Sequence, residues 1–206
     1  MDFISVLIAV FIISFVSNAL PFFGEAYTVY ASLLLLSIGA SPYNTLIVII
    51  VTAVGAAISK NVSYALGYAL KRPLRKTSAV RLIGALSNKA PLWILVIVLA
   101  AIPGLPLDDY LYIGAGAAII SPLKLNTYVL VGKAIKSSVE IPIELLLFSS
   151  IYTAFRYSIG LSLFQVIMAV IFTALAVVIF KIDWVKIYVK LQYRLPYLPK
   201  IGNDDF

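Results

Sequence analysis

The 206-residue chain contains no cysteine and no histidine. Without cysteine there is no disulfide framework, no thiolate nucleophile and no thiolate metal site. Without histidine the imidazole bases of most hydrolytic chemistry are gone, and with them the zinc sites built from those ligands. The sequence therefore reads as a non-enzyme that carries no metal and no cofactor. Charge is also scarce, at 12% of residues, whereas 62% are hydrophobic and the mean hydropathy is +1.03. Long apolar stretches occur in every part of the chain, which is the composition of a polytopic helical membrane protein.

The net charge of +7 is clustered rather than spread. "KRPLRKTSAVRLIGALSNK", Lys71 to Lys89, carries six basic residues and no acid, and Lys181, Lys186, Lys190, Arg194 and Lys200 follow the last apolar run. No basic segment is interleaved with the base-stacking aromatics of nucleic-acid modules, so the excess reads as orientation and lipid headgroup contact, with no nucleic acid as partner. The N-terminal apolar run has Asp2 where a signal peptide would have positive charge, and it reads as a retained segment.

Ile159 to Phe180 is long enough to cross a bilayer as one helix, at roughly 33 Å against about 30 Å. Phe3 to Val16 covers only about 21 Å and Leu92 to Ile102 about 17 Å, too short to cross. Each short run ends in a Pro/Gly break with an acid, "ALPFFGEAY" or "IPGLPLDDY", and then a further apolar run. Apolar helix, broken tip and apolar helix is the pattern of a re-entrant hairpin, with irregular backbone tolerated at depth only where it is buried or lines a cavity. The two units resemble each other: proline, acid, tyrosines, a small-residue helix, Ser-Pro, then Asn-Thr opening a long helix. This reads as an internal repeat, the alternative being coincidence among common membrane residue types.

The expected fold is an all-α polytopic membrane protein, an inverted repeat of two opposed re-entrant hairpins, in a single domain spanning 1–206. Repeat one, 1–70, has its hairpin at about 3–40 and a transmembrane helix at 45–70. The basic loop 71–89 follows. Repeat two, 90–155, has its hairpin at about 91–122 and its transmembrane helix at 126–155. A last transmembrane helix at 159–181 precedes the tail, 182–206. The positive-inside rule puts 71–89 and the tail in the cytoplasm of a cell-membrane protein, and Asp2 outside.

Ionisable residues at membrane depth are costly and mark pathways or sites. The candidates are Glu25 and the pair Asp108/Asp109 at the tips, Lys60 on the first long helix, and Lys133, Lys136, Glu140 and Glu144 on the second. The last four fall on one helical stripe, with Pro142 loosening the ladder between the two glutamates. Ser59 and Ser63 widen the polar face beside Lys60. The tips themselves are Pro21, Gly24, Pro103, Gly104 and Pro106, expected to meet inside the bilayer. A purely structural reading pairs Lys136 with Glu140 and Lys60 with a tip acid; the functional reading is a polar midplane cavity for substrate binding or proton coupling. Asp108 or Asp109 also suits a helix cap, and so does Glu25. Glu144 reads as a partner of a lysine or of solvent, and Arg156 as a snorkelling residue. Tyr27, Tyr30, Tyr110 and Tyr112 follow the tips at equivalent places, and Gly114, Gly116, Ala117 and Ala118 form a surface for close helix contact.

"SNALPFFGEAY", "GAAISKNVSYALGYAL", "AIPGLPLDDYLYIGAG" and "NTYVLVGKAIK", in this order and over nearly the whole chain, resemble the DedA family, also called the VTT-domain or SNARE-associated Golgi protein family. The resemblance implies two opposed re-entrant hairpins and lipid translocation, of undecaprenyl phosphate in bacteria or phospholipids in eukaryotes, sometimes proton-coupled. By position, Asn18, Pro21 and Glu25 match the first tip, Gly55, Tyr64 and Gly67 the helix after it, and Pro103, Gly104, Gly116 and Gly132 the second half. The chain departs from the family at Ser17 and Lys60, where acids are expected, and at Ala100 or Ala101 and Pro106, where arginines are expected. Lys60, Lys133 and Lys136 are left to supply the positive charge.

The function expected is therefore a flippase or scramblase for a phosphate-bearing lipid, such as a polyprenyl phosphate, with or without protons as partners. A secondary transporter of a small solute or ion and a non-transporting scaffold are the alternatives, and homo-oligomerisation stays open. Lys60→Ala and Lys133→Ala are each expected to reduce lipid translocation strongly with the fold intact, with exposed Arg75 and Lys190 as controls. The topology is checked by single-cysteine labelling, which is clean in a cysteine-free chain. A cysteine at position 76 reacts only after the membrane is permeabilised, and labelling from outside intact cells overturns the orientation.

Overall fold

A computed structural model describes residues 2–19, 27–102 and 107–157, and of the rest 170, 174, 177–196, 198 and 199. The described residues are helical with no strand among them. The first three helices are α1 (Phe3–Ala19), α2 (Tyr27–Ile38) and α3 (Pro42–Ala69). Two short helices, α4 (Lys71–Leu74) and α5 (Ser78–Leu86), lead to α6 (Ala90–Ala101), α7 (Leu107–Ala118) and α8 (Pro122–Tyr157). Helical residues 177–181 then precede α9 (Trp184–Arg194). Both breaks expected to form hairpin tips, with Pro21, Gly24, Glu25, Pro103, Gly104 and Pro106, lie outside the described residues, as does most of the segment 159–181.

Local chemistry explains the boundaries. Gly39 ends α2 with φ +83°, a left-handed conformation that costs glycine little. Ser41 then caps α3, its hydroxyl accepting from the Asn44 amide at 3.2 Å, and Pro42 sits in the first turn, where a missing N–H does no harm. The Asn44 side chain donates back to the carbonyls of Ile38 and Gly39 and fixes the turn. α7 ends the same way: Ile119 is left-handed, and the Ile119 and Ile120 amides reach back to the Gly116 and Ala115 carbonyls, followed by Ser121 and Pro122. Pro142 lies inside α8 without ending it.

The basic segment 71–89, read from its charge as a loop, instead folds as α4 and α5, because Ala79, Val80 and Leu86 give α5 one apolar face that is buried. Of the tail, Trp184–Arg194 is helical as well. Asp183 caps α9, and the Lys186 amide together with its ammonium holds this exposed carboxyl below the usual carboxylate range, so the cap persists at neutral pH and is lost as pH falls. Ser78 joins the two segments, its hydroxyl donating to the Ile182 carbonyl and accepting from the Trp184 amide at 2.9 Å.

At the centre, α3 packs against α1, α7 and α8. Pro42–Ala69 is the one helix among the described residues that is long and apolar enough to cross a membrane; α5 and α6 qualify only as a pair, and that pair is bent by 116°. The α3–α7 contact is backbone on backbone. A Cβ on Gly67 would stand 2.0 Å from the Ile113 carbonyl oxygen, and one on Gly116 would stand 2.1 Å from that of Tyr64. Gly55 similarly admits α1 at Phe11, and Gly132 admits α6 at Ile97 and Ala100.

Since a backbone carbonyl cannot rotate away as a side chain can, Gly67→Ala and Gly116→Ala should each cost about 1–3 kcal/mol. Gly84→Ala is the matched control, because its Cβ would meet only Ala118 Cβ at 4.0 Å. Thermal unfolding of the purified protein checks this: equal midpoints for all three variants contradict the close approach.

Candidate functional site: a buried lysine and carboxylate cluster

Four helices bring charge to one place. α3 supplies Lys60 and, one turn on, Ser63; α7 supplies Asp108 and Asp109 in its first turn; α8 supplies Lys133, Lys136, Ser137, Glu140 and Glu144; α2 supplies Tyr27, Thr28 and Ser32. Lys60, Asp108, Asp109, Lys133 and Lys136 are all at most 4% exposed. Desolvation of a single unpaired charge costs several kcal/mol, so these groups persist only in company.

Their company is specific. Lys60 Nζ donates to Asp109 Oδ1 at 2.7 Å and lies 3.4 Å from Asp108 Oδ2. The Ser63 hydroxyl donates to the same Asp109 oxygen at 2.8 Å. Lys133 Nζ reaches Asp108 Oδ2 at 2.8 Å, so one carboxylate oxygen bridges ammonium groups of α3 and α8. Both aspartates also sit where the helix N-terminus carries partial positive charge. The expected pairing of Lys60 with a tip acid is thus made, with Asp109 as the shorter contact.

α8 holds the rest. Lys136 Nζ lies 3.8 Å from Glu140 Oε1, an ion pair too long for a hydrogen bond. The Tyr27 ring, fully buried, lies 5.6 Å from Lys136 Nζ and 5.9 Å from Lys133 Nζ, within cation–π range. Glu144 was expected to meet a lysine or solvent; its two oxygens instead accept from the Thr28 and Ser32 hydroxyls of α2, each at 2.7 Å. Hydroxyls satisfy it because α2 lies against α8 at that level. Among the described residues, Tyr27 Oη, Ser137 Oγ, Glu140 Oε2, Ser14 Oγ and Thr52 Oγ1 are buried without a hydrogen-bond partner. Ser137 lies beside the Tyr27 hydroxyl.

Around this cluster, Tyr112 donates to Asn126 at 2.9 Å and Asn126 donates to Asn61 at 3.1 Å, which ties α7, α8 and α3 together. Tyr110 is buried, and Tyr30 is partly exposed. Ser59 bonds its own helix at the Ala56 carbonyl. Among the positions matched by resemblance, Asn18 is buried and donates to the Ser14 carbonyl, while Tyr64 donates to the Ile120 carbonyl. Thr28 and Ser32 escaped sequence reasoning because hydroxyls in an apolar run do not announce a carboxylate partner, whereas Ser137, four residues after Lys133, was readable from the helical spacing. Arg75 is exposed as expected, yet its Nε donates at 3.0 Å to the Ala117 carbonyl in the last turn of α7, which disqualifies it as a silent control.

Chemically, the cluster offers ammonium and hydroxyl donors against carboxylates, and no group of three metal-binding side chains occurs among the described residues. Such donors suit an oxyanion. No family model, curated protein or solved structure matches the chain, so function rests on this geometry.

Lys60 neutralises two carboxylates on another helix, so Lys60→Ala strands buried charge and should cost about 3–5 kcal/mol, contrary to the expectation of an intact fold. The double replacement Lys60→Met with Asp109→Leu should cost clearly less than the sum of the two single changes. Strict additivity in thermal unfolding would show that the two groups do not stabilise each other.

Proposed function

We propose that the chain is an integral membrane protein that carries a phosphate-bearing lipid, such as a polyprenyl phosphate, between leaflets. The observation that carries this reading is the polarity of α8. One stripe, Val131, Ile135, Val139, Ile143 and Leu147, is aliphatic and exposed, whereas the buried side holds Lys133, Lys136 and Ser137. On α1, Ile4, Ile8, Ile12 and Val16 are each more than half exposed. Charge inside and aliphatic side chains outside suit lipid as solvent, not water.

The arrangement of the two units supports the inverted repeat. α1 crosses α3 at Gly55 as α6 crosses α8 at Gly132, and α2 and α7 both end in a left-handed residue two positions before Ser-Pro. The second helix of each unit packs on the long helix of the other, α7 on α3 and α2 on α8. Each crossed contact carries a carboxylate, Asp109 held by Lys60 and Ser63, and Glu144 held by Thr28 and Ser32. The basic segments 71–89 and 181–194 meet at Ser78, which supports a common cytoplasmic side. These features agree with the DedA-like reading, in which lysines replace arginines as phosphate donors and the carboxylates exchange protons where transport is coupled.

A scaffold reading draws on the closed Lys60–Asp109 contact. Against it stand Lys136, whose carboxylate contact among the described residues is a long one, and the Tyr27 and Ser137 hydroxyls, which lack a well-made hydrogen bond among those residues, since a purely structural cluster leaves fewer donors unused.

Liposomes reconstituted with labelled polyprenyl phosphate test the proposal. Lys136→Ala should slow translocation about tenfold or more, the loss expected when a charge-assisted hydrogen bond to the phosphate disappears. Lys190→Ala, at an exposed site on α9, should leave the rate unchanged. Equal rates for the two variants would remove the phosphate-lipid mechanism.

A further inference from the structure

The carboxylates of the cluster are not held equally. Asp109 is fixed by two short contacts, from Lys60 at 2.7 Å and Ser63 at 2.8 Å. Glu144 is fixed by two hydroxyls on α2, and Glu140, itself loosely held, lies 3.8 Å from the ammonium of Lys136 on its own helix. Asp108 differs from all three in lying against two ammonium groups. Its Oδ2 stands between two ammonium groups, 2.8 Å from Lys133 and 3.4 Å from Lys60, without hydrogen-bond alignment to either. The second distance exceeds the 2.7–2.9 Å range of a well-made charge-assisted bond. One oxygen between two lysines on different helices is the place where a bound oxyanion would put an oxygen.

We infer that the Asp108 carboxylate is a resident anion, occupying in the empty protein the seat that an anionic headgroup takes when bound. This inference rests on the phosphate-binding reading of the site and adds how the site is regulated. The balance of charge favours such an exchange. Lys60, Lys133 and Lys136 already face Asp108, Asp109 and Glu140, so an incoming anion finds no uncompensated ammonium until a carboxylate withdraws. Asp108 is the one whose withdrawal exposes two lysines together. A neutral headgroup gains nothing by displacing it. The contact therefore keeps the lysine pair compensated when empty and admits only ligands able to replace a carboxylate. Because the binding-competent state is the one with Asp108 displaced, apparent affinity is reduced by the fraction of time the seat is free.

Neutralising the residue removes that competition. In the full chain, purified in detergent, Asp108→Asn should bind dodecyl phosphate about tenfold more tightly than the unmodified protein, by equilibrium dialysis. Asp108→Glu retains the anion and should not tighten binding. Asp109→Asn, which loosens a structural contact, should lower the unfolding midpoint without tightening binding. A measurement on the unmodified protein stands independently of whether any variant folds: with carbon-13-labelled aspartate, infrared difference spectra should show a carboxylate band shifting when dodecyl phosphate is added, and no shift with dodecanol.

The outcomes separate the two ideas. Equal or weaker binding by Asp108→Asn, or an unchanged carboxylate band while dodecyl phosphate binds, overturns the resident-anion inference and leaves the phosphate reading standing. If dodecyl phosphate does not bind to the unmodified protein or to Asp108→Asn, both fall. If inorganic phosphate binds as tightly as dodecyl phosphate and shows the same tightening in Asp108→Asn, the resident anion is upheld and the lipid headgroup gives way to a free anion.

Discussion

The burial of the Lys60 ammonium constrains much of the molecule. An ammonium at 1% exposure needs countercharge within a few ångströms, and that countercharge comes from α7, 49 residues further along the chain. A contact of 2.7 Å from Lys60 to Asp109 brings α3 and α7 close at that level. Further along the same pair of helices, Gly67 lets α3 touch the Ile113 carbonyl and Gly116 lets α7 touch that of Tyr64. The small residues and the ion pair are two expressions of one requirement. The packing brings the carboxylates to the lysines, and the ion pair fixes which parts of the two helices face each other.

Much of this was legible in the sequence. Helix boundaries follow the Ser-Pro pairs and the apolar runs, and the three- and four-residue spacing from Lys133 to Glu144 placed those residues on one stripe before any contact was known. The partner of Lys60 was readable as a tip acid, but the choice between Asp108 and Asp109 was not, because adjacent residues in a first turn differ only in direction. The hydroxyls that hold Glu144 lie 116 and 112 residues away, and nothing local in "YTVYAS" marks Thr28 and Ser32 as carboxylate donors. Read by charge alone, 71–89 is a loop and 182–206 a tail; α5 and α9 exist because each lays an apolar face on a neighbour, a tertiary fact.

The crossed packing of the two units gives the polar groups their position. If α7 packed only on α8, which follows it in the chain, and α2 only on α3, the acids of α7 would face α8 and the hydroxyls of α2 would face α3. Exchange instead puts Asp109 on α3 and Thr28 on α8, and Asp108, between the two, reaches Lys60 of one long helix and Lys133 of the other. Tyr27, at the start of α2, places its ring near the ammonium groups of Lys133 and Lys136. Neither unit contains the cluster by itself; it is assembled where the two meet. On the transport reading this location is apt, since a site shared by two units changes whenever one moves against the other.

On the DedA-like reading, the family's arginines are missing from their expected places at Ala100 or Ala101 and Pro106, and lysines at other positions supply the positive charge, which fits the same logic. A guanidinium makes planar, two-point contacts that favour a fixed partner, whereas an ammonium is a compact charge with three rotatable donors on a flexible stem. Lys60 uses this freedom already, with one short contact to Asp109 and one long contact to Asp108. On the proposed reading, the short contact secures the fold and the longer one is available for exchange. An arginine bidentate to either aspartate would strengthen the fold and remove the difference between the two contacts. On the proposed reading, stability and turnover are divided between adjacent carboxylates, Asp109 serving the first and Asp108 the second, and the division depends on a cation that does not bind both equally.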